Sequence, residues 1–389
     1  MKFSELINIA ICVEIFLKLR WPEGIIYCPH CKSKTITGDG TYLKYFHKYR
    51  CENCKRYFND KTGTIFGESK KDMGVWFLFM YFMSKNSSTK DIAKELGIGE
   101  NCAYRMAKLI RESLFAQHLN KKLSGVVESD EVYINAGAKG DLERGLGDEE
   151  KRNAETDDDK IDVSETAPQR PPRKRGNKKK GRTTWDDDRP PVIGFRQRKD
   201  EDHDPDLFLE VTRNASSETI DGLAAEHIEE GSTVYTDGWP GYNHLGSLGY
   251  IHDFVVHSQG EYAKDADGDG INEVHVNTVE GLWSLLRQWL RTHRGVCKDQ
   301  LKYYVATFEF CHGLNLKGVC GFDRVEGMLE VIFLLSLKYF AIFHSFFKYF
   351  HDFPRFFEKN GRNTSLYLCE CGLHYKNKYE IILSEGIGC

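Results

Sequence analysis

The sequence predicts a multidomain α/β protein, and three observations predict it. Two Cys-x-x-Cys pairs, Cys28/Cys31 and Cys51/Cys54, stand near the N-terminus. A helix–glycine turn–helix pattern follows, and then strand-like runs interleaved with helices. At 389 residues the chain suits two or three domains with linkers, and with 40% hydrophobic and 29% charged residues it is globular in composition. The net charge of −4 excludes a uniformly basic coat, yet 21 Lys and Arg stand against 12 Asp and Glu through Ser124. Positive charge is thus concentrated in the N-terminal third. Apart from those two pairs the twelve cysteines are mostly scattered singly, which suits a reducing cytosol rather than a secreted disulfide framework.

Residues 1–24 read as a short amphipathic helix ended by Trp21-Pro-Glu-Gly24. Charges at Glu5, Glu14 and Lys18 argue against a signal peptide. Residues 25–66 read as a zinc ribbon. Each Cys-x-x-Cys turn brings two thiolates to one point, so Cys28, Cys31, Cys51 and Cys54 make a closed four-sulfur Zn²⁺ site whose role is folding. His30 inside the first turn is a bystander, and Tyr42, Tyr45 and Tyr49 suit short strands between the turns.

Residues 70–122 read as a helix-turn-helix domain. Val75 to Met83 is a buried helix, and Ser87-Ser-Thr89 offers a cap for a helix from Lys90 to Leu96. Gly97-Ile-Gly99 breaks it, and a second helix starts near Glu100. A second helix so placed enters the major groove of DNA, with Tyr104, Arg105 and Lys108 as its exposed contact residues. An ordinary helical hairpin has the same pattern; the basic segment and the ribbon favour DNA.

Residues 124–316 read as the catalytic domain. The strand Gly125 to Ile134 holds Glu128, Asp130 and Glu131, and carboxylates in a buried strand are costly unless paired or metal-bound. Alternation sets Glu128 and Asp130 on one face and Glu131 on the other. Residues 138–191, dense in charge, Gly and Pro, read as a disordered insertion. Strands at Pro191–Phe195 and Asp206–Val211, a helix over Ser216–Glu229 and a strand ending at Asp237-Gly238 follow. Next comes an amphipathic helix with Leu282, Leu285, Leu286 and Trp289 inward. Asn277 reads as its N-cap and Glu280 as the partner in a capping box. This order resembles an RNase H-like mixed sheet, in which strands 1 and 4 are neighbours. Asp130, Asp237 and Glu280 then suit two Mg²⁺ (or Mn²⁺) ions for displacement at phosphorus, and Arg287 suits a DNA phosphate.

The sequence resembles DDE transposases of the ISXO2-like group of bacterial and archaeal insertion sequences. The residues that carry the resemblance are Cys28/Cys31/Cys51/Cys54, Phe58-Asn-Asp-Lys-Thr-Gly-Thr-Ile-Phe66, Glu128-Ser-Asp-Glu-Val-Tyr133, Val234-Tyr-Thr-Asp-Gly238 and His275-Val-Asn-Thr-Val-Glu280. The likeness spans roughly 25–316. It implies that Asp130, Asp237 and Glu280 are catalytic metal ligands and that Arg287 is the basic residue following the last acid. It also implies cleavage at transposon ends and transfer of the 3′ ends into target DNA. The N-terminal modules would recognise the terminal inverted repeats, and pairing of two ends would need a homo-oligomer. The expected location is the prokaryotic cytoplasm, at the nucleoid. Two alternatives share these features: a decayed or domesticated DNA-binding protein, and an RNase H-like nuclease or resolvase that cuts without joining.

Three further stretches complete the reading. Asp265-Ala-Asp-Gly-Asp-Gly-Ile-Asn-Glu273 resembles the start of a Ca²⁺ loop, but its twelfth position is Val276, so it reads as an acidic loop. His275 reads as a strand-end residue near the site. Residues 317–389 read as an atypical tail dispensable for folding. Within it, Val331 to Phe350 is interrupted by Lys338 and His344 and falls short of a membrane span, and Cys369, Cys371 and His374 form only a weak metal pattern.

Overall fold

A computed structural model of the chain describes residues 8–136, 181–266 and 268–333. Asn8 caps the first helix, α1 (Ile9–Arg20), its side chain accepting from the Ala10 amide. Three antiparallel strands follow in the order β1 (Ile36–Tyr42), β2 (Phe46–Cys51) and β3 (Tyr57–Asn59), which form the expected ribbon. The ribbon is tied to the end of α1 by the buried carboxylate of Asp60. It accepts from Trp21 Nε1 at 2.7 Å, the His47 amide at 2.6 Å and Tyr49 Oη at 3.1 Å. Lys61, also buried, donates to the Ser69 carbonyl at 2.6 Å. The Phe58–Phe66 motif is therefore a joint between ribbon and helices.

Asp72 caps α2 (Met73–Ser84) and Ser88 caps α3 (Thr89–Glu95). Gly97, at φ +60°, turns the chain into α4 (Glu100–His118), in a left-handed conformation that favours glycine. These helices do not have a core of their own. Phe16 of α1, Phe66, Trp76, Phe79 and Ile110 share one cluster with Phe322, Met328, Leu329 and Phe333. Met328, Leu329 and Phe333 lie in a helical segment over 323–333, and Phe322 just precedes it. Phe16 meets Phe333 edge-on at 5.2 Å, and Tyr81 stacks on Phe322 at 4.6 Å. The reading of everything beyond 317 as a dispensable tail is corrected here, because residues 322–333 supply core side chains to the N-terminal helices. The rest of that tail, from 334 on, lies outside the described residues, as do the Cys369 cluster and most of the Val331–Phe350 stretch. Among the described residues no helix is long and apolar enough to cross a membrane.

The second half is a five-stranded sheet. Its strands are β4 (Val126–Tyr133), β5 (Pro191–Gln197), β6 (Asp206–Val211), β7 (Thr233–Asp237) and β8 (Ile251–Val255), in spatial order β6-β5-β4-β7-β8. The β6/β5 and β5/β4 pairs are antiparallel, whereas β4/β7 and β7/β8 are parallel. This is the RNase H-like arrangement, with strands 1 and 4 adjacent. The sheet has a helix layer on each face. Helix α5 (Ser217–His227) packs Ile220, Leu223 and Ala224 against Val127, Ile193 and Val234. Helices α6 (Asn277–Thr292) and α7 (Lys298–Leu316) bring Leu282, Leu286, Leu301 and Val305 against Val132 and Leu209.

Three local expectations are corrected. Structure resumes at 181 rather than 191: Thr184 and Asp187 form a capping box around a short 3₁₀ turn, and Trp185 packs against the α6–α7 layer. The Ile134 and Ala136 amides bond the Pro190 and Asp188 carbonyls at 3.1 and 3.0 Å, which extends the rim of the sheet. The insertion from 137 to 180 lies outside the described residues. Leu285 is 46% exposed, so the buried stripe of α6 runs through Val279, Leu282, Trp283, Leu286 and Leu290 instead. Finally, α6 begins at Asn277 with Val276 at the cap position, and no capping box forms.

Helix α4 is joined to the sheet through a buried ionic cluster. His118, in the last turn of α4, meets Glu309 of α7 at 2.7 Å and Glu210 of β6 at 3.0 Å. Lys121 adds bonds to Glu309 and Asp206 at 3.0 and 2.9 Å.

Candidate active site and nucleic-acid interface

Asp130 and Asp237 are set by the parallel pairing of β4 and β7. Val126 faces Thr233 and Glu128 faces Tyr235, so the same register carried two residues further sets Asp130 opposite Asp237. Asp237 is the last residue of its strand, and its Oδ1 accepts from the Trp239 amide at 3.1 Å, a local turn that holds the carboxylate at the strand tip. Asp130 Oδ2 accepts from Trp283 Nε1 of α6 at 2.7 Å. Burial, helped by the charges of Glu131 and Asp237 and opposed by the Trp283 bond, leaves the Asp130 carboxyl raised to about 7. A crowded pair of carboxylates with hard oxygen donors is suited to a divalent cation.

Glu280 sits one turn into α6, with its side chain 46% exposed and Oε1 3.5 Å from His257 Nδ1. Asp130 lies close enough to Asp237 to feel its charge, whereas Glu280 is turned toward His257. Among the described residues the three do not form a group with ligand oxygens all within 4.8 Å of one another. Arg287 is exposed further along α6. It lines a cavity of about 280 Å³ with Arg291, Tyr133, Asn135 and Leu290, next to the end of β4.

Glu131 points to the other side of the sheet, as alternation requires, where Tyr242 Oη donates to it at 2.9 Å and Arg182 Nε at 3.0 Å. Glu128 shares the Asp130 face but is fully buried and fully bonded. Its Oε1 takes Arg198 Nε at 2.6 Å, and its Oε2 takes the Thr278 and Val279 amides at 2.9 and 3.0 Å. Arg198 also donates to the Glu273 carbonyl at 2.6 Å and to the carbonyl and Nδ1 of His275, each at 2.9 Å. Burial and the adjacent guanidinium lower the His275 pKa, which suits Nδ1 as an acceptor. Sequence reasoning missed Glu128, Arg198 and Trp283 as parts of this site. The one available signal was the second carboxylate on the Asp130 face of a buried strand.

The four ribbon cysteines converge. Their sulfurs all lie within 4.8 Å of one another, with Cys28–Cys54 at 3.6 Å and Cys31–Cys51 at 3.4 Å. Tetrahedral zinc with Zn–S bonds of about 2.3 Å requires S···S edges of about 3.8 Å, so the cage fits the ion with little adjustment. The His30 amide donates to Cys28 Sγ at 3.4 Å, and the His30 ring is outside the cluster. Tyr104, Arg105 and Lys108 are exposed on α4, as expected of contact residues. Arg105 pairs with Glu68 at 2.6 Å and Lys108 with Glu112 at 3.7 Å, both in solvent. Exposed pairs of this kind are worth about 0–1 kcal/mol and yield readily to a phosphate. Asp265, Asp269 and Glu273 also cluster, and the Asp265 carboxylate accepts the Gly268 and Gly270 amides.

Comparison with known proteins agrees with this architecture. Residues 122–312 match the ISXO2-like transposase domain, and residues 10–57 match the transposase zinc-ribbon domain. An uncharacterized protein in the transposable element ISH50 of Halobacterium salinarum is 33% identical over 298 residues. That alignment covers 76% of this chain and 88% of the relative.

Proposed function

The chain belongs to the family of ISXO2-like transposases, and from that premise we propose that it cleaves the ends of its own insertion sequence and joins their 3′ ends to target DNA. Asp130, Asp237 and Glu280 would hold two Mg²⁺ or Mn²⁺ ions, which supply charge stabilisation and an activated oxygen for in-line displacement at phosphorus. The observation that supports the reading is the parallel register of β4 and β7: continued two residues past the Glu128–Tyr235 pair, it brings Asp130 level with Asp237, and Trp283 bonds Asp130.

The remaining work falls to the chain's own residues. Trp283 orients the Asp130 carboxylate by a 2.7 Å bond, and the Trp239 amide orients Asp237. Glu280, on the first turn of α6 and now 3.5 Å from His257, would supply the third carboxylate. Arg287 holds a DNA phosphate beside the site, and Tyr104, Arg105 and Lys108 read the terminal repeats with the ribbon beside them. Two ends must be paired for joining, so the active species contains at least two copies.

The test is strand transfer with Mg²⁺, a duplex of the element's own end and a target plasmid. Wild type is expected to join the 3′ end to the plasmid. Binding without cleavage would favour a DNA-binding protein that no longer catalyses, and cleavage without joining would favour a nuclease.

A further inference from the structure

The helix that carries Glu280 lacks a cap of its own. Val276 occupies the cap position, has no hydrogen-bonding side chain and makes none of the usual bonds to the first-turn amides. Those amides are instead taken by Glu128, 150 residues earlier in the chain. This sets a carboxylate at a helix N-terminus, where the helix dipole favours an anion. Glu128 is 0% exposed, and Arg198 neutralises it from the opposite side at 2.6 Å.

The placement of the cap matters more than its existence. Glu128 lies two residues before Asp130 on the same strand face, and the amides it holds lie immediately before Glu280. Trp283 bonds Asp130 from the next turn of the same helix. Strand β4 and helix α6 are therefore pinned at two points, one on each side of the gap between Asp130 and Glu280. We infer that Glu128, clamped by Arg198, is a positioning residue for the catalytic metal site: it fixes the distance from Glu280 to the aspartates without binding the metal. This rests on the reading of Asp130, Asp237 and Glu280 as metal ligands.

Gln at position 128 keeps the shape and one acceptor oxygen, but its amide group must face either Arg198 or the helix amides, both donors. The helix start then loosens, and Glu280 no longer meets the ions at a fixed place. Groups that orient metal ligands typically contribute about 10–100-fold to metal affinity.

The experiment titrates Mn²⁺ into the full zinc-loaded chain by calorimetry, without DNA, for wild type, Glu128→Gln, Arg198→Lys and Asp237→Asn. Amide exchange over residues 277–281 is followed in parallel. Glu128→Gln is expected to weaken Mn²⁺ binding by about tenfold or more and to speed exchange at Thr278 and Val279. End cleavage should fall at limiting Mn²⁺ in step with the lost affinity and recover in part as Mn²⁺ is raised, because no ligand is lost. Arg198→Lys, which keeps the charge but not the fork, should shift affinity in the same direction by less, and it decides the matter if Glu128→Gln does not fold. Folded variants that bind Mn²⁺ as wild type does would overturn the inference, even if their melting temperatures fell. If Asp237→Asn also binds Mn²⁺ like wild type, the metal-site reading itself has failed, and the positioning role fails with it.

Discussion

Gly194 is the residue whose replacement most directly probes how Asp130 is held. It lies in β5, opposite Asp130 in the antiparallel register, under the ring of Trp283. A Cβ built there would sit 2.3 Å from Trp283 Cη2, 2.8 Å from Cζ2 and 3.0 Å from Leu209 Cδ2. Carbon atoms rest at about 3.5–4.0 Å, so Gly194→Ala requires the indole to retreat by more than about 1 Å. Trp283 is 5% exposed and packed within the α6–α7 layer, so it cannot swing out freely. The same retreat takes Nε1 from 2.7 Å to beyond hydrogen-bond reach of Asp130. Overpacking of this kind costs about 1–3 kcal/mol, and a lost bond to a buried acceptor adds about 1–3 kcal/mol. Gly194→Ala is therefore expected to lower unfolding free energy by roughly 2–6 kcal/mol in urea titrations and to slow end cleavage more than tenfold. Trp283→Phe, which keeps most of the ring and removes only the N–H, should reproduce much of the catalytic loss with less loss of stability. As a control, Gly222→Ala on α5, where a Cβ meets nothing within 4 Å, should be neutral or stabilise by about 0.5–1 kcal/mol. A Gly194→Ala protein with wild-type stability and cleavage would refute the reasoning that the indole is seated on this glycine and steers Asp130.

Three other outcomes follow from particular contacts. Burial alone would lower the His118 pKa, but Glu309 and Glu210 outweigh it and hold it at about 9. A raised histidine stabilises fully below its unfolded value near 6.5 and loses that contribution as pH rises through about 9. Thermal melts of wild type should therefore fall between those pH values, by roughly 3 kcal/mol at most, while His118→Gln should melt lower and flatter. A chain stopped after Lys317 loses the core side chains Phe322, Met328, Leu329 and Phe333. At about 1.5–3 kcal/mol each this is comparable with a whole domain's stability, so circular dichroism should show the helices of the N-terminal half unfolded, and native helicity would contradict the shared core. Mercurial titration of purified protein should release one zinc per chain, and Cys51→Ser should lose both the metal and tight binding to end DNA. A metal-free wild type that still binds the ends tightly would count against the ribbon's role.

The parts of the fold legible in the sequence were those determined locally. Four cysteines in two turns define the ribbon, Gly97 marks the turn before α4, and a carboxylate-bearing strand places Asp130. The parts that were not legible depend on distant partners. Glu128 and Asp130 share a strand face, and nothing near them in sequence says which is free and which caps a helix 150 residues on. The Asn277 and Glu280 pattern satisfies a local capping rule, but the helix starts one residue earlier, with the Glu280 amide on the Val276 carbonyl and the Thr278 and Val279 amides on Glu128, so the local rule did not decide the helix start. Strand β8 escaped notice because it is an edge strand with Ile251 and Phe254 exposed, which blurs the alternation. Residues 181–190 have the composition of a disordered segment, yet Trp185 and the Thr184–Asp187 cap anchor them to the sheet. The boundary at 317 failed for a similar reason: core partners of residues 322–333, such as Phe16 for Phe333 and Tyr81 for Phe322, lie far earlier in the chain.

The central claim is that Asp130 and Asp237 form the core of a metal-dependent DNA-cleaving site. The most direct measurement is single-turnover cleavage of a labelled end duplex in Mg²⁺, with wild type, Asp130→Asn and Asp237→Asn compared at equal DNA binding. Wild type should cut at the end of the element, and each variant should bind that DNA normally and be slower by at least a thousandfold. Cleavage that survives either substitution, or that proceeds in the presence of excess EDTA, would contradict the account.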